Sequence, residues 1–108
     1  MEDAVRAIAE PNRRRILQLV ANQELSAGEI ASRFDITRPA VSQHLGVLRE
    51  AGLVSERRQG TKRLYSVRPE GFADLKAFLE SFWGEGLERL KAAAELEEGR
   101  RRRGRRAA

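Results

Sequence analysis

Apolar residues fall into five stretches with helical spacing and two with strand spacing. Val5, Ile8 and Ala9 share one side of a short helix over Met1 to Ala9. Pro11 suits the first turn of a second helix, which Ile16, Leu17 and Val20 carry to about Ala21. Ser26-Ala27-Gly28-Glu29 is a capping box opening a third, with Ile30, Ala31 and Phe34 on its apolar face. After a turn at Asp35-Ile36, Thr37 caps a fourth helix, in which Val41, Leu45 and Leu48 recur at i, i+4 and i+7. Gly52 ends it. Leu53–Arg58 and Lys62–Arg68 read as two strands joined at Gln59-Gly60-Thr61, with Gly60 free to take a positive φ.

The pattern then turns helical again from Pro69. Phe72, Leu75, Phe78, Leu79, Phe82, Trp83, Leu87 and Leu90 form a long amphipathic stripe to about Leu96, holding three of the four Phe and the only Trp. The first four helices already close a small core, so this stripe exceeds what one copy can bury. It predicts a homodimer in which Val5 and Ile8 of the first helix join Leu75, Phe78, Leu79, Phe82, Trp83, Leu87 and Leu90 of the last. Packing within one copy is the alternative. Gly84 and Gly86 weaken the helix and allow a bend or a close crossing.

The polar positions of residues 26–65 give this pattern a purpose. The fourth helix carries Arg38, Ser42, Gln43 and Arg49 between its apolar positions. Two short helices with long hydrogen-bonding side chains outward on the second are a helix-turn-helix arrangement, and a basic hairpin directly after it is a wing. The fold class expected is mainly α with a small β-hairpin: a dimeric winged helix-turn-helix of three-helix core, wing and long C-terminal helix.

The net charge of +5 has to be located before it informs. Residues 99–108 hold six arginines and no acid, leaving 15 basic and 16 acidic side chains in residues 1–98. Within that body, Arg33 to Arg63 carries seven basic residues against three acidic, a net of +4, and the remainder is −5. A positive docking face on an otherwise negative body orients a protein on DNA. The division expected is 1–98 as one DNA-binding and dimerisation domain and 99–108 as a disordered Arg-rich tail, which has no apolar residue but its last two alanines. That tail is open to contact with flanking DNA, with RNA, or with nothing. Arg13, Arg14 and Arg15 crowd the first turns of the second helix against its dipole, which points to an outside anion or to a solvated basic face.

Other functions find little support. One His, no Cys and no Gly-rich phosphate loop leave no nucleophile–base pair, so no enzyme and no cofactor is expected. No apolar run approaches the roughly 20 residues of a membrane span, and the acidic start lacks a signal peptide's apolar segment, so a cytoplasmic protein is expected. A winged helix that docks only on another protein remains the alternative; the basic wing and cation-bearing helix face argue for DNA.

The chain resembles the ArsR/SmtB family of winged helix-turn-helix repressors over residues 1 to about 97. Four segments carry the likeness: residues 9–17 (Ala-Glu-Pro-Asn-Arg-Arg-Arg-Ile-Leu), 25–31 (Leu-Ser-Ala-Gly-Glu-Ile-Ala), 39–54 and 57–66. Residues 39–54 are the most specific, since caps and core spacing would not dictate Val41-Ser42-Gln43-His44-Leu45. The likeness is greatest to the metal-independent, SdpR-like branch of dimeric repressors, often acting on their own promoters. It implies a double-stranded DNA operator as partner, helix 37–50 in the major groove and wing 57–63 on the backbone or minor groove. Thr37, Arg38, Pro39, Ala40, Ser42, Gln43 and His44 are the recognition-helix candidates, and Arg57, Arg58, Lys62 and Arg63 the wing candidates. Arg pairs with guanine and Gln with adenine; Pro39 and Ala40 suit a thymine methyl or a plain helix start; His44 has a structural or phosphate-contact role.

Two departures bear on regulation. Metal-sensing members place a Cys-x-Cys pair where this chain has Ser26-Ala27-Gly28, or histidines on the last helix, which here has none. No metal site is therefore expected, a sensor with an atypical site being the alternative, and any small-molecule or protein effector is unassigned. Glu10 also stands where the family commonly has Asp before Pro, a weaker cap.

Overall fold

A computed structural model describes the backbone of residues 1–107 and the side chains of residues 1–104. The order is α1 (Glu2–Ile8), α2 (Pro11–Leu19), β1 (Leu25–Ser26), α3 (Ala27–Ser32), α4 (Arg38–Glu50), β2 (Val54–Gln59), β3 (Lys62–Val67), a 3-10 turn (Pro69–Phe72) and α5 (Ala73–Ala107). The chain divides into two compact units, Met1–Leu75 and one beginning at Lys76.

In the first unit the predicted helices form where the apolar spacing placed them. Ile16, Val20, Ile30, Val41, Leu45, Leu48 and Leu53 are almost wholly buried and make the centre of one core. Ile8, Phe34, Tyr65, Val67 and Phe72 pack around it. The Ser26 capping box is complete: Glu29 N–H donates to Ser26 Oγ at 3.2 Å, and Ser26 N–H donates to Glu29 Oε1 at 3.1 Å. Those bonds, the backbone one first, hold the Glu29 carboxyl below the usual carboxylate range.

At the other end of α4, Gly52 takes φ +76°, where only glycine is unstrained. Gly52 N–H donates to Arg49 O (3.0 Å) and Leu53 N–H to Leu48 O (2.9 Å), a Schellman ending. Gly71 comes so close to this corner that a Cβ on it would overlap the Gly52 carbonyl. The route from recognition helix to wing therefore depends on two glycines.

The hairpin is paired Val54↔Val67 through Gln59↔Lys62, and Gly60 turns it with φ +63°. The sheet has a third strand that the apolar pattern does not disclose: β1 lies beside β3, with Leu25 opposite Tyr65 and Ser26 opposite Leu64. Two residues are too short to show alternation.

Arg13 and Arg14 serve neither of the roles expected of them. Arg13 donates to the carbonyls of Ala7 (2.6 Å) and Arg6 (3.3 Å), and Arg14 to that of Ile8 (2.8 Å). They close the unpaired C-terminal carbonyls of α1 with cations, where the helix dipole favours positive charge. Arg15 lies over the Phe34 ring at 5.0 Å. Glu10 does cap α2, accepting from Arg13 N–H at 2.8 Å.

The second unit is the body of α5. It is helical except at Trp83 (φ −141°, ψ 34°), where the axis kinks. Gly86 permits the kink, because a Cβ there would overlap the Trp83 indole. Phe78 and Phe82 meet edge to face at 5.1 Å. The helical backbone is described to Ala107. Glu97 reaches Arg100 (3.6 Å) and Arg101 (3.7 Å), and Glu98 reaches Arg102 (3.4 Å), at the i,i+3 and i,i+4 spacings that support a helix. The expectation for the tail, 99–108, falls partly on residues 105–108, whose side chains lie outside the described residues. No helix among the described residues is long and apolar enough to cross a membrane.

Candidate nucleic-acid interface

Thr37 opens α4 as its cap, accepting from Ala40 N–H at 3.2 Å. That bond fixes the start of the helix and so the direction of everything on it. Val41, Leu45 and Leu48 face the core, which leaves Arg38, Pro39, Ser42, Gln43 and Arg49 exposed and Ala40 half-buried.

Between α4 and the wing runs an open groove of about 700 Å³. Arg38, Ser42 and Arg49 border it from the helix, Lys62 and Arg63 from the wing, and Gly28 from α3. Arg38 reaches over Gly28: a Cβ there would stand 3.8 Å from its guanidinium carbon. The groove brings recognition-helix and wing candidates onto one surface. Gln43 borders a separate depression with Arg13, His44, Val47 and Glu50.

His44 is not turned outward with the other candidates. It is half-buried, its Nδ1 3.4 Å from Arg13 Nη1 and 3.8 Å from Glu10 Oε2. It lies between the recognition helix and the start of α2.

The wing cations divide into two kinds. Arg57 grips Glu24 with both nitrogens, Nε to Oε2 at 2.9 Å and Nη2 to Oε1 at 2.8 Å. This hydrogen bonding lowers the Glu24 carboxyl below its ordinary range and raises Arg57 further. Arg63 lies 3.6 Å from Glu56, whose other carboxylate oxygen accepts from Arg49 of α4 at 2.9 Å. Glu56 thereby bolts the wing to the recognition helix, and burial, followed by its charge, raises the Tyr65 hydroxyl. Arg58 and Lys62 are exposed at the tip, Arg58 directly opposite Arg63 and Lys62 opposite Gln59. Sequence reasoning did not single out Glu24, Glu56 or Tyr65 as part of the site. Acids near a basic hairpin count only against net charge until pairing across strands is known.

Residues 8–57 match a family model described as a helix-turn-helix domain. The HTH-type transcriptional regulator Rv2034 of Mycobacterium tuberculosis is 44% identical over 84 residues, 78% of this chain and 78% of its own. The transcriptional repressor SdpR of Bacillus subtilis is 34% identical over 86 residues, 80% of this chain and 96% of its own. The ArsR-like transcriptional regulator from Rhodococcus sp. RHA1 superposes with a TM-score of 0.69 at 25% identity, covering 88% of this chain and 90% of that one. A solved structure described as a possible transcriptional regulator for arsenical resistance gives 0.68 at 46% identity, over 83% and 94%.

The chain belongs to the ArsR/SmtB family. As a member it is a DNA-binding transcriptional regulator with a winged helix-turn-helix. In this ArsR/SmtB chain the segment that carries a cysteine pair in metal-sensing members has another use. Ser26 ends β1 and caps α3, and Gly28 lies beneath the Arg38 side chain. Among the described residues, no three His, Cys, Asp or Glu side chains gather as a metal cage.

Proposed function

We propose that the protein is a homodimeric repressor that reads an inverted-repeat operator with α4 in the major groove and the wing on the backbone or minor groove. Exposed Arg38 and Ser42 on one side of α4, with exposed Gln43 beside them toward Glu50, on a helix fixed at both ends, carry this reading. Arg and Gln have the donors and acceptors that distinguish base edges, and Ser42 between them suits either. Pro39 and Ala40 add small apolar surface where the helix start approaches the bases. Thr37, and His44 through its hold on Glu10 and Arg13, orient the helix rather than read from it. Arg58 and Lys62, exposed at the tip, supply phosphate contacts; Arg57 and Arg63 join once released from Glu24 and Glu56.

The dimer reading is supported by what α5 leaves exposed: Phe78 (49%), Phe82 (66%), Trp83 (45%) and Leu90 (57%), with Val5 of α1 at 42%. Apolar groups of this size, so exposed on a chain this small, call for a covering surface, and a two-fold pairing covers the same patch twice. Leu75, Leu79 and Leu87 are half-buried on the same helix. Ile8 packs on the core, so its share in an interface is smaller than its position suggests. Repression in the cytoplasm, without catalysis and without a metal, is the mode we infer, in keeping with a relative named a transcriptional repressor. A relative from Vibrio cholerae, 36% identical over 70% of this chain, is named a transcriptional activator, so the direction of control needs its own assay.

The deciding experiment is selection of genomic fragments on the purified protein, followed by sequencing and transcription from the recovered promoter. A two-fold-symmetric site with half-sites about 34 Å apart, and less transcript when the protein is added, is the expected result. Recovery of fragments with no common motif would overturn the operator reading.

A further inference from the structure

We propose that the arginine-bearing end of α5 is a second docking surface, one that binds the phosphate backbone of duplex DNA without regard to sequence. Residues 99–108 contain six arginines and no acid. The structure sets Arg100 to Arg103 on a helix, so these charges are pre-ordered on one rod instead of spread through a coil. At 1.5 Å per residue, Arg100 to Arg106 spans about 9 Å, comparable to the rise of a few base pairs.

The charges are available. Arg100, Arg101 and Arg102 are 66–71% exposed, and their bonds to Glu97 and Glu98 are long, 3.4–3.7 Å. Exposed pairs of this kind contribute little, so a phosphate can displace them at small cost. Two carboxylates cannot neutralise the four guanidiniums of Arg100 to Arg103.

The chemistry around the arginines selects among polyanions. After Leu96 the chain has only Glu, Gly, Arg and Ala, so nothing is present to anchor in a protein pocket, and a lipid surface would be met by charge alone, without the inserted apolar group that stable anchoring adds. No aromatic residue follows Trp83, so no platform exists for the unstacked bases of a single strand. A dense, regular row of phosphates is what remains, and duplex DNA presents one negative charge per about 1.7 Å of axis. The reader on α4 already brings that polymer to the same chain, which raises the local concentration of phosphate.

The test uses the full-length chain and a variant carrying R100Q, R101Q, R102Q and R103Q, with random-sequence duplex DNA of about 40 base pairs as probe. Glutamine is close to arginine in helix propensity, and circular dichroism checks that the helix persists. The expected result is at least a tenfold weaker affinity at about 0.1 M salt. The slope of log affinity against log salt should be shallower by about 2 or more, since each lost phosphate contact removes about 0.9. The reverse variant, E97Q with E98Q, should tighten binding to the same probe. An unchanged slope in the arginine variant would overturn the proposal. So would stronger binding of the unmodified chain to single-stranded RNA of equal length, abolished by the same substitutions. The readout is independent of operator reading, because base preference, measured by competition between sequences, should be the same in variant and parent.

Discussion

Arg57 of the wing holds both carboxylate oxygens of Glu24, at 2.9 and 2.8 Å, across 33 residues of sequence. The contact ties the hairpin to the residue just before β1, and it occupies one of the wing cations proposed to meet phosphate. Replacing the acid by Gln keeps the shape and removes the charge. E24Q should therefore raise affinity for specific and random DNA alike, a few-fold, and steepen the salt dependence by about one. Equal affinity and slope in E24Q and parent would show that Arg57 never leaves Glu24 for phosphate.

The same pair fixes a pH dependence. Glu24 is depressed in the folded chain, so its contribution is present above the ordinary carboxylate value of 4.5 and is lost as pH falls through the lower folded value. The difference between E24Q and parent should then be flat from about pH 6 to about pH 8 and vanish only in acid. Thermal melts across that range would check it; a difference that changes near pH 7 would assign the effect to another group.

Gln43→Ala should relax base preference at one position in each half-site and cost about 1–3 kcal/mol at the selected operator. Binding to a panel of single-base operator variants measures this. The Gln43 side chain is exposed and makes no hydrogen bond among the described residues, so a loss of folding stability is not expected to accompany it. Retained affinity together with retained preference would remove Gln43 from the reading face.

Phe82→Glu, at the most exposed large ring of α5, should give monomers with an unchanged circular dichroism spectrum. Light scattering at micromolar concentration is the measurement, with the parent expected at twice the chain mass. A monomeric parent would refute the dimer.

Much of this was legible because caps and cores are local. Ser26 with Glu29, Thr37, and the spacing of Val41, Leu45 and Leu48 fix α3 and α4 within a residue or two. The turn at Gly60 likewise fixes the hairpin. What escaped depended on partners distant in sequence. Glu24 and Arg57 meet only because β1 joins the sheet, and β1 is too short to show a pattern. Arg13 and Arg14 looked misplaced on their own helix because their acceptors are the last carbonyls of another. Gly71 reads as an ordinary turn residue until its approach to Gly52 is seen.

That approach carries the last prediction. A methyl at residue 71 would overlap the Gly52 carbonyl, and Gly52 cannot easily move, since its φ of +76° and the two hydrogen bonds of the Schellman ending hold it. Arg68 N–H, donating to Leu53 O at 2.8 Å, ties the strand end to the same corner. Gly71→Ala should therefore destabilise by about 1–3 kcal/mol, as overpacking at a rigid contact does, and lower the melting temperature accordingly. Gly46→Ala serves as the control: that glycine has open space around it and lies inside α4, so alanine should be neutral or stabilise by up to about 1 kcal/mol. Equal melting temperatures for the two variants would mean that the corner yields, and that the path from recognition helix to wing is softer than its geometry indicates.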